Sequence, residues 1–126
     1  MDGIRGAMTY DLVVLLPVPP DVADVVGGLV GAGPGLRVRP DSGGAVLRLY
    51  DGDRPVLGIE DARRVDVADD VRRLLGPRAD EGLRVPYWWT EIRASGADGD
   101  AAAAHRLADE LVRRLGGRVW SPREAC

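Results

Sequence analysis

The chain contains no lysine, phenylalanine, asparagine or glutamine, so all 17 of its basic residues are arginine. Glycine, alanine, valine, aspartate and arginine stand in their place. These are residues of GC-rich codons, and they point to a high-GC bacterial genome of the actinobacterial kind. The arginine excess is therefore read first as codon usage and only then as guanidinium chemistry. Cysteine occurs once, as Cys126, so no disulfide can form within these residues. Histidine also occurs once, as His105, which excludes the Cys/His sets of zinc sites and thiol proteases. There is no G-x-S-x-G nucleophile elbow and no G-x-x-x-x-G-K-[ST] phosphate loop. The longest apolar run, Leu12 to Leu16, is too short to span a bilayer. The first residues lack the apolar core of a signal peptide, so a cytoplasmic location without membrane contact is expected.

What remains is ordinary for a globular domain: 126 residues, 45% hydrophobic and 29% charged. Such a length fits one domain that buries about two-thirds of its unfolded surface and folds without metal or disulfide. A net charge of −3 gives no electrostatic reason to expect nucleic acid as a partner.

Residues 1–8 have no periodicity and read as a flexible extension, with Met8 a plausible start. The domain is expected over 9–121, followed by a tail at 122–126. Tyr10 to Val18 is a nearly continuous apolar run, as in a strand buried on both faces. Pro17, Pro19 and Pro20 end it, and Asp21 and Asp24 suit the first turn of a helix. Val22, Val25, Val26, Leu29 and Val30 form that helix's apolar stripe. Leu36 to Arg39, Ala45 to Tyr50 and Val56 to Glu60 alternate as a three-strand meander, with turns at Pro40–Gly44 and Asp51-Gly52. Asp66 to Leu75 reads as a short helix stopped by Gly76-Pro77. Arg78 to Val85 reads as a polar connection. Tyr87 to Ala94 is strand-like. A last helix, capped by Asp98 or Asp100, runs to Leu115, and Arg118 to Ser121 forms a final strand.

The order β-α-β-β-β-α-β-α-β predicts an α+β fold. A single antiparallel or mixed sheet is expected, with helices packed mainly on one face, as a ferredoxin-like variant.

No motif in the chain commits it to catalysis. His105 falls at the edge of the last helix's apolar stripe and reads as a core-boundary residue. Gly31 to Gly35 follow a helix and so cap it, whereas a phosphate cradle must open one. Asp69-Asp70 and Asp98-x-Asp100 lie at helix starts, where aspartate is expected without a metal. No catalytic residue, metal or cofactor is assigned.

One constellation follows from strand alternation. If Leu36, Val38, Leu47, Leu49, Leu57, Ile59, Trp88 and Ile92 face the helices, the opposite sheet face carries the alternating residues. Those are Arg37, Arg39, Arg48, Tyr50, Glu60, Tyr87, Trp89, Glu91 and Arg93, with Arg48–Glu60 a possible cross-strand pair. Such a face could be a solvated surface of weak ion pairs. The second reading is a protein-contact surface, since Trp, Tyr and Arg dominate interface hot spots. A small-molecule or single-stranded nucleic-acid platform is the third reading. A non-enzymatic binding module is the primary expectation, with a protein partner or self-association favoured over a small molecule. The alternative is a small ferredoxin-like enzyme or ligand-binding protein using Glu91 or Glu60 as base and Arg48 or Arg93 as anion holder.

Overall fold

The computed structural model describes residues 9–40 and 46–122. The 1–8 extension, the turn residues 41–45 and tail residues 123–126, with Cys126, lie outside the described residues. Ten elements follow in order: β1 (Tyr10–Leu16), α1 (Val22–Ala32), β2 (Arg37–Pro40), β3 (Val46–Asp51), β4 (Arg54–Glu60), β5 (Arg63–Val65), α2 (Ala68–Leu75), β6 (Tyr87–Ala94), α3 (Asp98–Leu115) and β7 (Arg118–Trp120). The fold is α+β, with one sheet of order β2-β3-β4-β6-β1-β7 and β5 paired to β6 beside β4. Every pairing is antiparallel, which settles the choice between an antiparallel and a mixed sheet. β6 and β7 run the same way on either side of β1, and α3 joins them, making a split β-α-β unit.

The main core lies between the sheet and the pair α1 and α3. Leu12, Val14 and Leu16 of β1 meet Leu49, Leu57, Ile59 and Ile92 on this side, under Leu29, Leu107 and Leu111 of the helices. Leu36, Val38, Leu47 and Trp88 pack against the same cluster, as strand alternation requires. The helices approach closely because α1 presents glycine at the crossing. A Cβ at Gly28 would come within 2.7 Å of the Leu107 side chain. Arg106 of α3 then donates from Nε and an Nη to the carbonyl of Ala32, at 3.0 and 2.8 Å, closing the C-terminus of α1.

α1 and α3 share one sheet face, and α2 alone lies on the other. Val71 joins Val13 and Leu15 of β1 and Tyr87 of β6 in a second cluster, flanked by Trp89, Trp120, Val65, Leu75, Ala79 and Leu83. β1 is therefore covered on both sides. This explains its unbroken apolar run, since its even- and odd-numbered residues each need a dry environment.

Three local readings change. β5 was not expected, because Arg63-Arg64-Val65 has no apolar alternation; pairing to β6 creates it. β4 begins at Arg54, and a register shift opposite Leu49/Tyr50 turns both Val56 and Leu57 into the main core. α3 is capped by Ala97 with no side-chain acceptor. Asp100 instead accepts from Arg54, at 2.6 and 3.2 Å, and from the Ser95 hydroxyl at 2.5 Å. In contrast, Asp21 and Asp24 form a reciprocal capping box on α1.

β7 reaches β1 only because of Gly117. Its φ is +109°, and a Cβ there would stand 2.0 Å from the carbonyl oxygen of Leu15.

Candidate functional site

α2 and the connection after it cover only half of the second sheet face. Beneath them lie β1, β5, β7 and the N-terminal half of β6. The uncovered half is built by β2, β3, β4 and the C-terminal half of β6, and the register places its side chains in rows. Arg39 is the Cα partner of Arg48, Arg48 of Gly58, Gly58 of Arg93, and Arg93 of Asp11. Two guanidinium-bearing residues thus stand directly opposite one another on β2 and β3. A third follows two strands further on, about 10 Å from Arg48 by strand spacing. Between them Gly58 contributes no side chain. A shallow cavity of about 220 Å3 opens there, with Arg48, Glu60, Arg93, Thr9 and Ser95 in its walls.

In the neighbouring row, Arg37 partners Tyr50. The Arg39 guanidinium lies over the Tyr50 ring, 4.8 Å from its centroid, a cation–π contact. Among the described residues, neither Arg37 nor Arg39 has a carboxylate within ion-pair reach. By contrast, Arg54, Arg63, Arg64, Arg72, Arg73 and Arg93 each have one.

The other end of this face is charge-balanced. Glu91 accepts from the Trp89 indole N–H at 3.0 Å, from Arg63 at 3.1 Å and from Arg93 at 3.4 Å. Arg93 also lies 3.6 Å from Asp11 and 3.9 Å from Glu60. The expected Arg48–Glu60 cross-strand pairing does not occur in the register, which sets Glu60 opposite Val46. Both residues line the cavity.

Tyr87 is not on the open face. It is fully buried under α2, and its hydroxyl donates to Asp80 at 2.9 Å. Asp80, 2% exposed, also accepts from Arg72 at 3.0 Å. Burial alone would raise the Asp80 pKa, but the hydrogen bonds from Arg72 and Tyr87, with the Arg72 charge, outweigh it and hold the carboxyl below its ordinary value. Burial, and then the Asp80 hydrogen bond, push the Tyr87 phenol up. Trp89 is half-buried at the margin between the covered and open halves.

Of the nine residues assigned from sequence, Arg37, Arg39, Arg48 and Tyr50 form one group, and Glu60, Glu91, Arg93 and Trp89 a second beside it. Sequence reasoning missed Gly58, Asp11 and Arg63. A glycine inside a strand pattern marks close approach or a gap, so Gly58 carried a usable signal. His105 hydrogen-bonds Tyr10 through Nε2 at 2.6 Å, at the sheet–helix boundary. Among the described residues, no three His, Cys, Asp or Glu side chains are grouped to hold a metal, and no helix is long and apolar enough to cross a membrane. Comparison of the chain with protein-family models, with curated proteins and with solved structures finds no match.

Proposed function

We propose that the chain is a non-enzymatic binding module that holds an acidic surface of a partner protein against the uncovered half of its sheet. The observation that carries this reading is the exposed pair Arg37 and Arg39 on β2, neither with a carboxylate in ion-pair reach among the described residues, with the Arg39 guanidinium over the Tyr50 ring. A carboxylate-bearing partner would give these guanidinium groups charge-assisted hydrogen bonds. The setting supports it: the chain as a whole is at −3, yet Arg37, Arg39 and Arg48 stand together beside the half-buried Tyr50. Arginine and tyrosine are common anchors of protein interfaces.

The second reading, a small ligand-binding protein or enzyme, draws support from the cavity at Gly58, where Arg48 and Arg93 flank Glu60. Its volume falls below the usual range of ligand pockets, and Glu91 is already occupied by two arginines and an indole. In fold terms we class the chain as a ferredoxin-like variant. The split β6-α3-β7 unit around β1 supports this, with β4 beside β6 and the β2–β3 pair as an extension.

The test is an NMR titration with a glutamate-rich peptide, monitored on backbone amides and arginine Nε–H groups. Shifts should concentrate at Arg37, Arg39, Arg48 and Tyr50 and vanish in Arg39→Glu/Arg48→Glu. An absence of shifts at millimolar peptide, or shifts centred on α3, would refute the proposal.

A further inference from the structure

Leu74 is 70% exposed and Val67 is 54% exposed. Leu74 lies in the last turn of α2 and Val67 is the residue that caps its start. They also border a notch of about 240 Å3 between α2 and β5, which is lined by Val71 and Trp89 and edged by Asp70 and Arg64. A single exposed leucine needs no explanation. Two large apolar residues beside an open notch with Val71 and Trp89 in its wall form a knob and a hole on the same surface.

The charges along α2 say what fits there. Asp69 and Asp70 occupy its first turn, and Arg72 and Arg73 its last. A second α2 laid parallel would bring acid onto acid and base onto base. Laid antiparallel, it brings Asp70 toward Arg73 at both ends, and antiparallel is the arrangement a two-fold axis across the helix produces. Within one chain, Asp70 and Arg73 already pair at 2.8 Å, with both side chains more than half exposed. Such exposed pairs are weak and exchange readily for equivalent ones across an interface.

We infer that α2 is a self-association surface whose occupant is a second copy of this chain. The copies dock antiparallel, and the partner's Leu74 sits in the notch beside Val67. This interface borders the open sheet face at Trp89 but uses none of Arg37, Arg39 and Arg48, and it stands whether or not those residues bind an acidic partner. An eight-residue helix and one notch give less area than a standard interface, so association is weak and concentration-dependent.

Sedimentation equilibrium from about 20 μM to about 1 mM chain covers the range expected for so small an interface. A reductant excludes cross-linking through Cys126. The wild-type weight-average mass should rise toward the dimer across this range. Leu74→Glu should weaken association by about tenfold or more. Asp70→Arg and Arg73→Asp should each be monomeric alone, and their equimolar mixture should dimerise, because each then supplies the charge the other lacks. Circular dichroism identical to wild type would show that the variants are folded. A wild-type chain that stays monomeric at the highest concentration overturns the inference. So does a dimer indifferent to Leu74→Glu, or a mixture that associates no better than its components.

Discussion

Replacing Tyr87 with phenylalanine removes one oxygen from beneath α2 and leaves the ring in place. That oxygen donates to the Asp80 carboxylate at 2.9 Å in a site where Asp80 is 2% exposed, so water cannot take over. Arg72 remains on the other carboxylate oxygen. A hydrogen bond to a buried charged group contributes about 1.5–3 kcal/mol, a sizeable part of the roughly 5–15 kcal/mol that holds a domain together. Urea unfolding at pH 7 should therefore show Tyr87→Phe less stable by about 2 kcal/mol with an unchanged m-value. The loss should also depend on pH. The Asp80 pKa is lowered by folding, so its contribution is complete above the unfolded value near 4 and disappears as pH falls through the folded value. Without the tyrosine donor the depression is smaller, and the two stability curves should converge on the acid side. Tyr50→Phe, on the open face, is the control and should change stability by less than about 0.5 kcal/mol. A Tyr87→Phe variant as stable as wild type, or a loss that is the same at pH 3 and pH 7, would refute the burial of this carboxylate under α2.

Other outcomes follow from the same packing. Gly117→Ala should destabilise by about 3 kcal/mol or more, because φ is +109° and the new methyl would meet the Leu15 carbonyl; thermal melting reads this directly. Arg54→Ala should lower the unfolding midpoint at neutral pH, since it strips both guanidinium bonds from Asp100. Folding lowers the Asp100 pKa, so that gap should close as acid protonates it, as denaturant titrations at a series of pH values would register. Arg39→Glu should leave stability within about 0.5 kcal/mol of wild type, because a cross-strand pair to Arg48 replaces the lost contact with Tyr50. The same variant should weaken the binding of an acidic peptide in calorimetry.

Much of the sheet was legible because alternation is a strict rule. Trp88 and Trp89 had to face opposite ways, and they join opposite clusters. β6 and α3 follow their sequence patterns because each carries a long apolar stripe. The side on which α2 packs was not legible from α2 itself, whose eight residues supply only Val71 as a fully buried anchor. The missing information was in β1. Val13 and Leu15 are as apolar as Leu12 and Val14, so something had to cover both faces there. In β4 the alternate positions Gly58 and Glu60 carry no apolar side chain, so nothing needed to cover them. That change in parity along the sheet marks where the covered half ends. Tyr87 was misassigned for the same reason: its strand position was right, but the helix above that half of the sheet was not foreseen. Asp100 escaped because its partner, Arg54, is 46 residues away and only the hairpin brings them together.

The division of one sheet face into a half sealed by α2 and a half left to arginines is best tested by nuclear Overhauser contacts from the two tyrosine rings. The Tyr87 ring should show cross-peaks to the Val71 methyls, and the Tyr50 ring none to any methyl of the three helices. Cross-peaks from Tyr87 to Leu29 or Leu111, or from Tyr50 to Val71, would contradict the account.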